Sequence, residues 1–316
     1  MKGLLCFVVA LLVLCPMARS ASFITGYNSN LHDRFDSTSF IASAFDLTGV
    51  ARADNNAWAT MLNSEYFISA NHFHPAIGQS VTFYEGNSSS SATVIRSVAS
   101  GVRLFNTDLW IGRLSTPVPS SIKSYSIASN IVNLSSTLGS YADQVVYQVG
   151  LRTANTVGGT TNFVVGLNNI EIGDSSAPAL VGLGDFNAVG FVFDIATFPA
   201  DVNRHNPGEL GARIGDSGAP SFIVSGGNFL LVGTHSYVLS SLPENSVSFP
   251  DFVESQSPNS PYQKPSNQTR EVTYDNFVPN YRADILAIIP EPSTVALLVL
   301  AGLGAAGVTS RRRSRA

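Results

Sequence analysis

The sequence predicts an all-β fold, and three observations carry this prediction. Short segments rich in β-branched and aromatic residues recur along the chain, and glycine, asparagine, serine and proline separate them. The middle of the sequence has almost no sustained helical period. Charged residues are only 13% of the chain, about half the usual share of a soluble domain. Short strands and turns at this spacing are typical of an antiparallel barrel or sandwich.

The predicted strands alternate or run continuously in apolar residues. They cover residues 66–69, 80–84, 92–95, 109–114, 144–149, 162–165, 189–193, 221–224 and 229–234. Residues 241–270 break this pattern with five prolines among serine, asparagine and glutamine, which predicts a long surface loop. The apolar segment 278–289 follows and predicts one short helix, with Pro279 in its first turn.

The amino-terminal residues 1–20 have the features of a secretory signal peptide. Lys2 precedes an apolar run, and small residues around residue 20 suit cleavage. Both cysteines of the chain, Cys6 and Cys15, lie in this segment. The mature chain would therefore have no disulfide, no thiol catalysis, no iron–sulfur cluster and no zinc–thiolate site.

The carboxyl-terminal region predicts a membrane span. Residues 293–310 are uncharged and mostly apolar, and four arginines follow directly, which would keep that end in the cytoplasm. The alternative, a buried core helix with a solvated tail, fits the length and the flanking charges less well. Pro-Glu-Pro at 290–292 precedes the span. This order of three parts resembles the PEP-CTERM sorting signal, which implies a Gram-negative host, export, transient anchoring and cleavage by an exosortase-type enzyme.

The charge balance argues against nucleic acid as a partner. Six of the 18 basic residues lie in the two ends, so residues 21–310 carry 12 bases against 22 acids, a balance of −10. Phosphate contacts require clustered lysine and arginine, and the acidic middle of the chain has no such cluster.

The segment 215–220 reads Gly-Asp-Ser-Gly-Ala-Pro and suits a nucleophilic serine. A serine hydroxyl needs a base for its proton and fixed donors for the oxyanion. The flanking glycines permit a tight turn that could direct the N–H groups of Gly215 and Ser217 to one point. The alternative is an ordinary polar turn.

Two upstream segments supply partners for Ser217. His72 ends the apolar strand 66–69 and the Ser-Ala-Asn-His string, which suits a general base at a barrel rim. His74 is its rival. Asp108 stands directly before the strand 109–114, where it could orient the imidazole; capping that strand is the alternative role.

Taken together, these three motifs resemble the signatures of the chymotrypsin/trypsin-like serine peptidases. The resemblance covers residues 45–289 and implies two packed antiparallel β-barrels, at 45–140 and 141–240, after a lead at 21–44. It also implies a catalytic unit of His72, Asp108 and Ser217, an oxyanion hole from Gly215 and Ser217, a protein or peptide substrate, and no metal or organic cofactor.

The same resemblance implies a substrate pocket. Its floor would be Gly211, its wall the strand that carries His235, Ser236 and Val238. An uncharged floor disfavours cleavage after arginine or lysine, and Val238 would favour small apolar residues. His235 stands where glutamate-specific relatives contact the substrate carboxylate, although a purely structural histidine is the alternative.

Three departures from the family pattern stand out. Phe73 replaces a cysteine, Ala219 replaces a glycine, and no clear activation site is present, although residues 24–26 offer Ile-Thr-Gly as a weak candidate for a new amino terminus that would pair with Asp216. The sequence leaves two other functions open: a catalytically silent binding protein of the extracellular matrix, and an esterase.

Overall fold

A computed structural model of the chain describes residues 22–24, 26–134, 136–151, 161–177, 186–193, 208–213, 215–242, 252–254 and 270–290. Within these residues the chain is mostly β-strand, with a few short helices, which confirms the predicted all-β class. The predicted signal peptide, 1–20, and the predicted membrane span, 293–310, lie outside the described residues.

The first half of the fold is a closed six-stranded barrel. It follows the short strand β1 (Phe23–Ile24) and the one-turn helix α1 (Ser29–His32). Its strands are β2 (Val50–Ala53), β3 (Trp58–Met61), β4 (Tyr66–Ala70), β5 (Ser80–Tyr84), β6 (Thr93–Arg103) and β7 (Leu109–Leu114). They close in the order β2-β3-β4-β7-β6-β5, and all neighbours are antiparallel. The predicted first barrel is therefore present.

The second half is a large sheet. Its strands, with the separate strand β13, are β8 (Ser126–Ile127), β9 (Val145–Gly150), β10 (Val164–Asn169), β11 (Ile172–Ala177), β12 (Phe186–Phe193), β13 (Leu210–Gly211), β14 (Pro220–Ser225), β15 (Asn228–Leu242), β16 (Phe252–Glu254) and β17 (Arg270–Phe277). A 3-10 turn, Gly139–Tyr141, precedes β9. The main path runs β10-β9-β14-β15-β17-β12-β11-β16, β8 joins β15, and β13 pairs with β1.

This sheet differs from the second closed barrel that the sequence predicts. The path ends at β10 on one side and at β16 on the other, and β11 lies between β12 and β16. Within the described residues β10 and β16 do not pair with each other, so the sheet stays open there.

The prediction of one long loop at 241–270 is also partly wrong. Strand β15 continues to Leu242, β16 lies inside the predicted loop, and β17 begins at Arg270. The prolines fall between these pieces, at 243, 250, 258, 261 and 265, and so leave short stretches that can pair. Most of the predicted loop lies outside the described residues.

The carboxyl-terminal helix is confirmed. A 3-10 turn, Val278–Tyr281, leads into α2 (Arg282–Ile288), and Pro279 stands at its start as predicted. Val278 and Ile285 are fully buried and fasten this helix to the core. The Tyr281 hydroxyl accepts a 2.7 Å hydrogen bond from the Asn187 N–H and so joins the helix to β12.

One hydrophobic core spans both halves of the molecule. It contains Trp58, Ile68 and Leu109 from the barrel and Val149 and Phe222 from the sheet. Burial of each such side chain contributes about 1.5–3 kcal/mol. The end of β4 and the start of β7 therefore pack into the same core as β14, and the candidate site lies at this boundary.

Candidate active site

Three side chains from distant parts of the sequence form a hydrogen-bonded line. The His72 Nε2 atom lies 2.7 Å from the Ser217 Oγ atom, and the His72 Nδ1 atom lies 2.8 Å from the Asp108 Oδ2 atom. The His72 side chain is 30% exposed, whereas Asp108 is fully buried. The line therefore runs from the interior of the molecule to its surface and ends at a hydroxyl that solvent can reach.

Two adjacent barrel strands place the histidine and the aspartate. β4 and β7 pair from Tyr66 with Arg113 to Ala70 with Leu109. The pairing continues one step further, because the Asn71 N–H donates to the Asp108 carbonyl at 2.8 Å. His72 follows directly, and its own N–H donates to Asp108 Oδ1 at 2.9 Å. Backbone pairing thus fixes the separation of the two side chains.

The Asp108 carboxylate is fully satisfied by donors. Oδ1 accepts from the His72 N–H, and Oδ2 accepts from the His72 ring and from the Ser236 hydroxyl, the latter at 2.5 Å. An ionised carboxylate can only accept, so the proton of a neutral His72 ring lies on Nδ1. Nε2 is then the acceptor that faces Ser217, which is the arrangement a general base requires.

The turn around Ser217 depends on two glycines with left-handed backbones. Gly215 has φ +102° and Gly218 has φ +84°. A Cβ atom on Gly218 would lie 2.6 Å from the Ser69 Oγ atom and 2.8 Å from the Ala70 nitrogen. The turn therefore approaches the end of β4 as closely as only glycine allows. Across the boundary, the Trp58 ring N–H donates to the Gly215 carbonyl at 3.3 Å.

The N–H groups of Gly215 and Ser217 are available to a ligand. The neighbouring donors are used inside the protein, since Asp216 N–H donates to the Arg213 carbonyl and Gly218 N–H to the His235 carbonyl. Within the part of the chain that the structure describes, the Gly215 and Ser217 N–H groups have no acceptor. Two free donors beside a nucleophile are the elements of an oxyanion hole.

The rival histidine lies outside this line. The His74 ring stacks on Trp110, with ring centroids 4.1 Å apart and planes inclined by 9°. Its Nδ1 atom contacts the carbonyl of Pro75 at 3.0 Å. Between the two candidates for the general base, only His72 is hydrogen-bonded to Ser217.

Asp216, next to Ser217, is fully buried and takes its donors from three segments. Its oxygens accept from the Ser22 hydroxyl, the Leu151 N–H and the Arg213 N–H, each at 2.8 Å. Burial raises the pKa of Asp216, while the charge of His235 and these hydrogen bonds act in the opposite direction. Ile24, the candidate for a new amino terminus, is instead buried in β1 and paired with Leu210.

Of the predicted pocket residues, Gly211 and Val238 lie close together, whereas Ser236 and His235 make contacts elsewhere. Gly211, in β13, precedes Ala212, whose N–H donates to the Thr273 hydroxyl at 3.0 Å. Thr273 is the cross-strand partner of the half-buried Val238, so Gly211 and Val238 lie on neighbouring segments. Ser236 points to Asp108.

His235, next to Ser236 in β15, makes its contacts inside the protein. It is buried, and both its ring nitrogens have partners inside the protein, Asp275 at 2.5 Å and the Val149 carbonyl at 2.9 Å. The ring therefore has no free nitrogen for a substrate carboxylate in this structure.

The pKa of His235 predicts how stability depends on pH. Burial alone would lower it, but the charges of Asp275 and Asp216 and the hydrogen bonds to Asp275 and Val149 raise it above the ordinary 6.5. A raised histidine pKa stabilises the fold fully below the unfolded value, and this stabilisation is lost as pH rises through the folded value. We expect the Tm difference between the natural chain and His235→Gln to be largest at acidic pH and to shrink above pH 6.5. Thermal melts across this range measure it; a difference that grows with pH would contradict the assignment.

The sequence analysis did not identify several residues of the site. Ser22 is 194 positions from Asp216, and no local pattern marks it as a partner. Asp275 lies in β17, whose alternation of Val272, Tyr274 and other residues was a usable signal next to the proline-rich segment. Among the described residues, no group of three or more histidine, cysteine, aspartate or glutamate side chains could hold a metal ion.

Comparison with known protein families identifies a motif at the carboxyl terminus. A family model described as the PEP-CTERM protein-sorting motif matches residues 289–313. The chain carries a PEP-CTERM sorting motif. No curated protein matches the chain. The PEP-CTERM motif indicates export, recognition by an exosortase-type processing enzyme and sorting to the cell envelope or surface, as the sequence predicts. In the described part of the chain no helix is both long and apolar enough to cross a bilayer.

The sorting motif predicts the fate of a truncated chain. Deletion of residues 290–316 removes the Pro-Glu-Pro string, the predicted span and the arginines together. We expect the truncated protein to pass directly into the periplasm or medium in soluble form, because nothing then holds it for processing. Fractionation with immunodetection measures this. Accumulation of the natural chain in the cytoplasm with residues 1–20 still attached would show that the export assignment is wrong.

Proposed function

We propose that the chain is an exported serine endopeptidase that hydrolyses peptide bonds through an acyl-enzyme. A single observation carries the proposal: the His72 ring lies 2.7 Å from the Ser217 hydroxyl through Nε2 and 2.8 Å from the Asp108 carboxylate through Nδ1. The chain order His, Asp, Ser and the closed first barrel support an architecture of the chymotrypsin-like type. In this proposal the open second sheet is that family's second half with an additional edge strand, β16.

In the first half of the reaction, Ser217 Oγ attacks the carbonyl carbon of the scissile bond and His72 Nε2 takes the hydroxyl proton. The imidazolium that forms is stabilised by Asp108, which is buried and keeps its charge close to the ring. The developing oxyanion accepts from the N–H groups of Gly215 and Ser217. His72 then protonates the leaving amine, and the acyl group remains on Ser217.

The second half repeats these steps with water. His72 Nε2 takes a proton from the water molecule as its oxygen attacks the acyl carbon. The tetrahedral intermediate uses the same two N–H donors. Its collapse breaks the ester bond, returns the proton to Ser217 Oγ and releases the acid product. Besides the protein's own groups, these steps use only water and the substrate.

A fluorophosphonate probe tests the proposal in one experiment. The probe phosphonylates an activated serine, so we expect it to label the natural chain and to leave Ser217→Ala unlabelled. Ser221→Ala is the matched control, since Ser221 is a buried serine of the adjoining strand β14. Absence of labelling in the natural, correctly folded chain would favour the silent binding protein instead.

The choice between peptides and esters follows from a substrate comparison. Acyl transfer itself does not select the leaving group, so hydrolysis of simple esters without cleavage of a peptide library would favour the esterase. With a library we expect cleavage after small apolar residues, because Gly211 is uncharged and Val238 is branched and packed against Leu210 and its neighbours. Dominant cleavage after arginine or lysine would show that the pocket assignment is wrong.

A further inference from the structure

A second histidine–carboxylate pair lies next to the turn that carries Ser217. It is separate from the hydrogen-bonded line of Ser217, His72 and Asp108. His235 and Asp275 are both buried, and the His235 Nδ1 atom lies 2.5 Å from the Asp275 Oδ1 atom. The Nε2 atom lies 2.9 Å from the Val149 carbonyl oxygen. A carbonyl can only accept a hydrogen bond, and so can a carboxylate. Facing an ionised carboxylate and a carbonyl, both ring nitrogens of His235 carry protons, and the ring is then an imidazolium.

The backbone of His235 is joined to the nucleophile turn on both sides. Its carbonyl accepts from the Gly218 N–H at 2.8 Å, and its N–H donates to the Ala219 carbonyl at 2.9 Å. The next residue, Ser236, donates to Asp108. A displacement of His235 would therefore reach both the turn that carries Ser217 and the carboxylate that orients His72.

Two buried carboxylates near this turn need a buried cation to remain ionised. Asp216 and Asp275 are both fully buried, and a buried carboxylate without a counter-charge tends to take up a proton. Arg213 also interacts electrostatically with Asp216, but its side chain is only half-buried and its guanidinium donates to the Ala212 carbonyl. The His235 imidazolium is buried and acts on both carboxylates.

The ionised form of Asp216 determines the shape of the turn. Its two oxygens accept three hydrogen bonds, from Ser22, Leu151 and Arg213. A protonated carboxyl group would either direct its hydrogen to the Ser22 hydroxyl, which would have to reverse that hydrogen bond, or lose a bond from one of the two N–H groups. In either case the carboxyl group holds the turn less firmly, because hydrogen bonds to a neutral acceptor are weaker than those to a charged one. The turn between Gly215 and Ser217 would then lose a fixed point, and the two free N–H groups lie at either end of it.

We propose that His235 is a positioning residue whose buried positive charge keeps Asp216 ionised and thereby holds the Gly215 and Ser217 N–H groups in their orientation. This inference rests on the proposed serine hydrolase function. It gives His235 a role in the reaction without contact with the substrate, in place of the substrate-carboxylate contact considered from the sequence.

The test separates charge from packing with three variants of the full mature chain. His235→Gln leaves two buried carboxylates without their cation, so we expect Tm and kcat both to fall. Adding Asp275→Asn to His235→Gln replaces the pair by two neutral amide side chains that can hydrogen-bond to each other. Tm should therefore recover in this double variant. In the double variant Asp216 still lacks the positive charge of His235. We therefore expect kcat to stay about 10-fold or more below that of the natural chain, with KM within about threefold of the natural value. His32→Gln, at another buried histidine, is the matched control and should keep full kcat.

Recovery of kcat together with Tm in the double variant would overturn the proposal and leave His235 a structural role. A second readout needs no activity: the carboxyl ¹³C shift of Asp216. We expect Asp216 to be ionised at neutral pH in the natural chain and its titration midpoint to rise by about one pH unit or more in the double variant. An unchanged midpoint would also overturn the proposal, even if the natural chain fails to react with the fluorophosphonate probe. Failure to react, by contrast, would overturn the proposed hydrolase function and with it the role of His235 in the reaction, and the titration of Asp216 would still decide whether His235 keeps that carboxylate ionised.

Discussion

Replacement of Ser217 or His72 by alanine is expected to reduce turnover by about 10⁴-fold or more, and the double replacement to cost little beyond either one. The reason is the 2.7 Å contact between the two side chains, through which the hydroxyl loses its proton. Without the base the hydroxyl is a weak nucleophile, and without the hydroxyl the base has no proton to accept. Single-turnover kinetics on the best peptide from a library would measure the three variants against the natural chain.

His74→Ala is the control for this prediction. His74 lies two residues from His72 and stacks on Trp110 without reaching Ser217, so its removal should change turnover far less. If His74→Ala abolished probe labelling while His72→Ala kept it, the assignment of the general base would be wrong.

The second large effect is expected for Asp108→Asn. The amide oxygen can take the place of Oδ1, which accepts from the His72 N–H. The NH₂ group then occupies the place of Oδ2 and donates to His72 Nδ1. This forces the ring proton onto Nε2, where it faces Ser217 and prevents the ring from acting as a base. Loss of the correct tautomer costs about 10⁴-fold in kcat in such an arrangement, which steady-state kinetics would detect, whereas Tm should change little.

Ser236→Ala distinguishes this tautomer effect from general loosening of Asp108. It removes one of the donors to Oδ2 and leaves both His72 contacts in place. Because a single hydrogen bond to a charged group contributes about 1.5–3 kcal/mol, the loss should not exceed about 100-fold. Equal losses in Asp108→Asn and Ser236→Ala would contradict the tautomer explanation.

The sequence predicts much of the fold where local pattern and turn residues agree. The strands β5 and β7 have the bounds that alternation predicts, and α2 follows Pro279 as expected. Strand β3 was missed although Trp58 and Met61 are fully buried, because Trp58 and Thr60 are its only residues of types that strands favour. The open second sheet could not be foreseen either, since the pairing of β11 with β16 joins segments about 80 residues apart.

The candidate site shows the same division between local and distant information. Glycines around Ser217 and the strands that flank His72 and Asp108 are local features, so these residues could be named in advance. Their hydrogen bonds, like those of Ser22 and Asp275, depend on long-range packing. The interpretation of His235 also depends on that packing, because only the contacts with Val149 and Asp275 show where its nitrogens point.

The wide spacing of the site along the chain has a consequence for export. Asp216 takes a donor from Ser22, near the start, and Asn276, at the far end of β17, donates to the Asp108 carbonyl at 3.4 Å. A chain that crosses a membrane from its amino terminus would therefore have to deliver nearly all of its folded part before these contacts could form together. Every shorter translocation intermediate would lack part of the hydrogen-bonding frame around Ser217. The topology itself would thus delay completion of the candidate site until nearly all of the folded part has crossed the membrane.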